Sequence, residues 1–353
     1  MSDAGQQRMG TTVITLGVGL GGAAFGWAVA MPAAFLIGPA LAVTLASVIG
    51  LRMDVRDWLR DVFLVALGLG VGAGFDANAS AAILRWPLAF LVQALLLICT
   101  LGLGVWVLRR WFGFDHKSAV LAVVPGHLSL AIGIASASDL DVGRVVLVQT
   151  IRLLLLIVLV PFAALAWGYE MQAGVLPTGP PMSWAHLGGL TLVGVTLAYA
   201  LGKAGLPAPT LLGPMMVSAL AHMTGLTPGA VPEWIMAAAF IGIGAVIGAR
   251  FSGISAALVR SGLLAGLITT LITVTLSAIA AIPVAYALAM PGEHVLTAFA
   301  PGGFETMIAL GLAMGASPGF VAACHVMRLV VLSALLPVFL RSAPAKDRPT
   351  GSR

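Results

Sequence analysis

Charge is what this sequence has least of. Only 9% of its 353 residues are Asp, Glu, Lys or Arg, against roughly a quarter in soluble domains. With 60% of the chain hydrophobic, no folding pattern can cover the surface with polar groups. A soluble globular protein is excluded and an integral membrane protein implied. Cysteine is almost absent too. Cys99 and Cys324 both sit in apolar runs, which excludes a disulfide framework and a thiolate zinc site. The six histidines and thirteen carboxylates show no ligand spacing for zinc, copper or iron, so neither a metal nor another cofactor is expected. No Walker motif is present, so ATP does not drive the chain directly. No polar segment is long enough for a DNA-binding domain, and the net charge of +5 reads as a membrane-topology signal rather than a nucleic-acid footprint. The strands of a membrane barrel would alternate over about ten residues. The runs here are longer and apolar all round, so the fold class is an all-α membrane protein.

What is present is repetition. Pro125, Gly126, Arg152 and Pro161 return 176 residues later as Pro301, Gly302, Arg328 and Pro337. Met31-Pro32-Ala33 and Gly38-Pro39 align with Leu206-Pro207-Ala208 and Gly213-Pro214 at an offset of 175. Gly68, Gly70 and Gly74 align with Gly242, Gly244 and Gly248 at an offset of 174, and small residues at such spacing let membrane helices approach closely. The chain therefore divides into repeat one (1–170), a proline-rich linker (171–183), repeat two (184–340) and a basic, disordered tail (341–353). The first run, which ends in Ala28-Val29-Ala30, has the look of a signal peptide. Its place in a repeat predicts that it is retained.

Repeat one offers apolar runs at 11–30, 34–51, 62–75, 86–108 and 145–167, with a polar loop at 52–60 and a Pro-Gly segment at 118–138. Repeat two offers runs at 184–201, 210–226, 234–249, 256–290 and 318–340, with its Pro-Gly segment between the last two. If the Pro-Gly segments cross the membrane, Arg85, Arg144, Lys203, Arg250 and Arg260 face outside. If they dip in and return, each repeat has five crossings, the second repeat is inverted, and 15 of the 18 basic residues lie inside. The positive-inside rule favours the second arrangement. It predicts ten crossings, two re-entrant or broken segments and both termini in the cytoplasm. Trp184 and Trp234 would anchor the outer interface and Trp111 the inner one.

Inverted repeats with interrupted helices are the recurrent plan of secondary transporters, whose half-helix ends near the midplane hold an ion or polar substrate. Pro301-Gly302-Gly303 and Pro125-Gly126 are the candidate breaks; otherwise they are plain kinks filled by a neighbouring helix. Glu305 is a carboxylate at membrane depth, read either as a proton or cation site or as a structural pair with Arg328 or Arg152. Its counterpart in repeat one is Ser129. Arg152 and Arg328 either hold an anion, snorkel, or tie their helices to a carbonyl of the break. Gln149 and His325 align one turn before each arginine, on the same helix face. His325 either relays a proton or packs. His127, in place of the second glycine of the first break, raises the same question.

These residues resemble a known family. The segments Ala300-Pro301-Gly302-Gly303-Phe304-Glu305-Thr306-Met307 and Phe320-Val321-Ala322-Ala323-Cys324-His325 through Arg328 look like those of AbrB-type integral membrane proteins, the duplicated Gram-negative kind. So do Val124-Pro125-Gly126, Asp141-Val142-Gly143-Arg144-Val145 and Gln149-Thr150-Ile151-Arg152 in the first half. Where similar members carry two adjacent histidines, this chain has Cys324-His325. Members are labelled ammonia monooxygenases or regulators, and the resemblance implies a link to regulation of gene expression. Nothing in the sequence looks like an oxygenase site, so no enzyme is expected. The expectation is a secondary transporter or exporter in the bacterial inner membrane, for a small metabolite, anion-selective and proton-coupled. The alternative is a membrane-embedded sensor or regulator without transport. The partners expected are the bilayer and a small-molecule or ion substrate, not nucleic acid, with a homo-oligomer left open.

Overall fold

The computed structural model describes residues 3–75, 86–125, 140–166, 168, 180–206, 208–254 and 256–341. Among them there are thirteen helices and no strand. The first half contains α1 (Asp3–Ala28), α2 (Ala34–Val48), α3 (Asp57–Ala73), α4 (Pro87–Phe112), α5 (His116–Val123) and α6 (Val142–Ala166). The second half contains α7 (Trp184–Lys203), α8 (Pro209–Met223), α9 (Glu233–Ala249), α10 (Ala256–Leu288), α11 (Gly292–Phe299), α12 (Phe304–Ala313) and α13 (Pro318–Arg341). Six of these, α1, α4, α6, α7, α10 and α13, contain a stretch long and apolar enough to cross a bilayer. Their large exposed side chains, such as Phe25, Leu95, Leu192 and Ile279, make up an apolar surface that water would not tolerate and acyl chains would.

Local chemistry sets the helix starts. The Asp115 carboxylate accepts from the Ser118 N–H to cap α5, and Ser183 Oγ accepts from the His186 N–H to cap α7. Ala33 and Ala208, 175 residues apart, precede α2 and α8 in the same left-handed conformation, with φ of 47° and 46°.

The helices form two bundles. In the first, α1 packs on α2 and α7 on α8, while α2 crosses to α9 and α8 crosses to α3. In the second, α4 meets α5 and α10 meets α11; α6 packs on α5 and α10, and α13 on α11 and α4. Each of these contacts of one half has a counterpart in the other. Helix α12 lies between the bundles, touching α2, α3 and α9 on one side and α6, α11 and α13 on the other.

Close approach in the first bundle depends on glycine. A Cβ at Gly22 or Gly38 would run into the other's backbone, and one at Gly213 would sit 2.5 Å from the Gly194 carbonyl. The third helix of each half shows the register. Gly68 and Gly72 would meet the carbonyls of Leu211 and Met215, and Gly244 and Gly248 those of Leu36 and Ala40. Gly68 therefore matches Gly244, and Gly72 matches Gly248. The offset is 176, not the 174 read from the glycine pattern, which permits several alignments because glycine recurs at every second residue.

A second correction concerns the polar loop expected at 52–60. It ends at Arg56, and Asp57 begins α3 with Arg60 already on the helix. Asp57 and Asp61, both bonded to Arg60, make the first turn polar and hide it among loop residues.

The last helices of the two halves, α6 and α13, lie within three residues of the apolar runs expected at 145–167 and 318–340, and α10 continues through Pro283 as one helix of 33 residues. Trp184 and Trp234 are exposed and lie together with ring centroids 6.4 Å apart.

Candidate functional site at the broken segment

Residues 300–303 interrupt the chain between α11 and α12. The two halves fold back on each other rather than continuing in line. Thr297 Oγ1, near the end of α11, lies 3.7 Å from Met314 Sδ beyond the end of α12. The His294 ring bonds to the Gly315 backbone. In a straight helix the 17 residues from Thr297 to Met314 would span about 25 Å. The break is thus the tip of a hairpin.

A helix end inside an apolar bundle leaves carbonyls that need donors. Around α11 that need is met by three other helices. Gln93 Nε2 of α4 donates to the Ala298 carbonyl (3.4 Å), and Ser277 Oγ of α10 donates to Phe299 (3.2 Å). Arg328 of α13 donates from Nη1 to Ala300 (3.0 Å) and from Nη2 to Gly302 (2.8 Å). The planar guanidinium suits a pair of carbonyls as a fork. Its positive charge also sits at the negative end of the helix dipole.

The end of α5 is built alike. Arg152 of α6 donates from Nη1 to Ala122 and Val123 and from Nη2 to Val124, and Gln149 donates to Leu121. Arg152 and Arg328 are 2% and 1% exposed and lie close enough to feel each other's charge. Of the three roles open to them, tying the helix to the break is the one their geometry serves. Among the described residues neither has a carboxylate within 4.0 Å.

The other end of the break differs. Gly303 caps α12, and Glu305 stands in its first turn, where a carboxylate complements the positive helix end. Glu305 is half-buried. It does not pair with Arg328 or Arg152. It lies instead within electrostatic range of Arg250 at the end of α9, and of Arg60 and Asp61 on α3. Among the described residues no ion pair within 4.0 Å joins Glu305 to either arginine. The acid at the tip therefore lies near two cations of the other bundle, with neither in an ion pair with it among the described residues.

Pro301, Gly302 and Pro125 are buried, and Gly303 is half-buried. A Cβ on Gly302 would collide with the Met307 side chain, only 2.5 Å away. His325 is fully buried; its Nδ1–H donates to the Val321 carbonyl (2.9 Å), its Nε2 has no partner, and Phe304 packs edge-on against the ring at 6.4 Å. Gly126, His127 and Ser129 lie outside the described residues. Sequence reasoning missed Gln93, Ser277, Arg60 and Arg250 as members of this site. A single glutamine in the long apolar run of α4 was the available signal for the first. The two arginines are indistinguishable by sequence from loop charges.

Broken helices with charged side chains at their ends, embedded in a bundle with lipid-facing walls, define an integral membrane protein built around an interrupted segment. The sequence profile of the AbrB family, described as transition state regulatory protein AbrB, matches residues 35–343. The chain belongs to that family. It is 27% identical over 304 residues to the "Uncharacterized protein YhjN" of Bacillus subtilis (strain 168), covering 81% of this chain and 78% of that one. It is 29% identical over 238 residues to the "Putative regulator AbrB" of Escherichia coli (strain K12), covering 64% of this chain and 65% of that one.

Proposed function

We propose that the protein is a secondary transporter of a small anionic metabolite across the inner membrane, coupled to protons through Glu305. The reading takes the two halves as inverted repeats of five crossings each, with α11–α12 as a re-entrant hairpin and both termini cytoplasmic. The matched contacts of the two halves and the fold-back of α11 on α12 support it. Alternating access would come from movement of the α4–α6 and α10–α13 bundle against the other.

The observation that carries the reading is Glu305. It sits half-buried on a helix that lies between the bundles, near Arg60 and Arg250 and, among the described residues, without an ion-pair partner within 4.0 Å. The two arginines and the positive end of α12 favour an anion, while the acid can take up and release a proton as the gap opens and closes. In many carriers of this plan, half-helix carbonyls coordinate sodium. Here tethered guanidinium groups already occupy them, which favours proton over sodium as the coupling ion.

Proteoliposomes with a trapped pH-sensitive dye test the reading. A panel of small carboxylates and amines is offered outside, with wild type beside Glu305→Gln. A carboxylate-dependent proton signal, absent in well-inserted Glu305→Gln protein, is the expected result. Silence in both proteins would discard proton-coupled transport. It would favour a second reading, a membrane-embedded regulator, which the printed name of the E. coli relative suggests. In the first reading any effect on gene expression is indirect, through the metabolite moved.

A further inference from the structure

The arginine pair at the end of α4 takes no part in the site above. We propose that the cleft between α4, α5 and α13 is a binding site for one anionic phospholipid. The cleft has a volume of about 910 Å³. Its apolar part is formed by Gly102, Val105 and Trp106 of α4 with Val338 and Phe339 of α13, and its polar end by Arg109, Arg110 and His116. From Gly102 to Phe112 the α4 axis rises about 15 Å, half of a hydrocarbon core about 30 Å thick. One acyl chain of one leaflet fits that length, with its phosphate at the arginines.

Charge complementarity selects an anionic headgroup. Arg109 and Arg110 line the cleft, and Lys117 is exposed one residue past His116. Arg144 lies over the Phe114 ring at 4.1 Å and donates to the Phe112 carbonyl at 2.8 Å, which places a further positive charge on the rim. The nearby acid, Asp115, is committed to capping α5. His116 adds a second, independent feature. It is 7% exposed, donates from Nε2 to the Phe339 carbonyl (2.7 Å), and leaves Nδ1 buried without a partner. The floor of the apolar part is open: a Cβ at Gly102 would meet nothing within 4 Å. A lipid here would brace α5, whose far end Arg152 ties, against α13, which carries Arg328.

Native mass spectrometry of the full chain tests the proposal. Purified protein is offered an equimolar mixture of phosphatidylglycerol and phosphatidylcholine with the same acyl chains. Wild type should retain one phosphatidylglycerol in preference to phosphatidylcholine. Arg110→Gln, an exposed position that leaves folding alone, should lower that preference about fivefold. Gly102→Leu should lower retention of both lipids by occupying the groove, with elution volume and thermal midpoint unchanged. If Gly102→Leu misfolds, Arg110→Gln alone decides. Equal retention of the two lipids by wild type, or unchanged preference in Arg110→Gln, overturns the proposal. So does full displacement of the lipid by millimolar inorganic phosphate, which would mean that the cleft reads phosphate alone. The outcome does not depend on whether the protein transports anything.

Discussion

The two ends of one break are built on opposite principles. At the α11 end donors arrive from three helices: Gln93, Ser277 and Arg328 reach in to the carbonyls of Ala298, Phe299, Ala300 and Gly302. At the α12 end, beyond the four residues of the break, Glu305 is half-buried and lies near Arg60 and Arg250 without an ion pair to either among the described residues. Both ends carry a charge at the complementary pole of a helix dipole. One is locked by geometry and the other is left open. The lesson is that a charged residue in an apolar run is not by itself a site. Arg328, whose two Nη groups are held by carbonyls of its own fold while Nε has no partner, is structural, and Glu305, near two cations at a bundle interface, is where the proposed exchange is to be sought.

Substitution at the two ends should separate stability from transport. Arg328→Met removes the charged fork, leaving the Gly302 carbonyl without this donor and the Ala300 carbonyl with the Gly302 N–H. The expected cost is on the order of 3–5 kcal/mol, seen as a large fall in thermal midpoint or loss of folded protein. Arg328→Lys should recover only part, because an ammonium lacks the fork. Glu305→Gln, by contrast, should leave the midpoint within about 0.5 kcal/mol of wild type and abolish flux. A stable Arg328→Met protein, or a Glu305→Gln protein that unfolds, breaks the comparison.

The charged residues at the break could be found in the sequence because they interrupt an otherwise apolar chain. Glu305, Arg152 and Arg328 needed no structure to be singled out. Their partners were another matter. Arg328 donates to carbonyls, and a carbonyl leaves no mark in a sequence. Arg60 looked like part of a loop because Asp57 and Asp61 flank it, and only the helix start at Asp57 brings it to face α12. The glycines of α3 and α9 announced close packing, but their register depended on which carbonyls they meet, Leu211 and Met215 or Leu36 and Ala40. Apolar pattern thus gave the all-helical, membrane-like character of the chain. It did not show which end of the break was closed.

The scaffold against which α12 rests offers the next test. Gly244→Leu would drive a side chain into the Leu36 carbonyl and Pro39, forcing α9 away from α2. Overpacking of this kind costs about 1–3 kcal/mol, measured by chemical or thermal denaturation. Because α9 ends at Arg250, the same change should also weaken flux. Unaltered stability would mean that α2 and α9 are not pressed together as described.

Arg250→Gln probes the open end more gently. The residue has no ion pair within 4.0 Å among the described residues, so its loss should leave the midpoint unchanged within about 0.5 kcal/mol. If it draws an anion toward Glu305, the apparent KM for that anion should rise by about fivefold to tenfold while the maximal rate changes less. A lower maximal rate at constant KM would place Arg250 in the conformational step instead.

Ser277→Ala is the mildest change at the closed end and measures how its load is shared. Ser277 is fully buried and donates a neutral hydrogen bond to the Phe299 carbonyl. Bonds of this kind between membrane helices are worth about 0.6 kcal/mol on average, so the midpoint should fall slightly and flux should persist. A fall as large as that of Arg328→Met would mean that the carbonyls of α11 act as one cooperative unit, with no member dispensable. A small fall would leave the guanidinium as the group that holds the break closed, and would make the contrast with the open end at Glu305 a contrast between two single side chains.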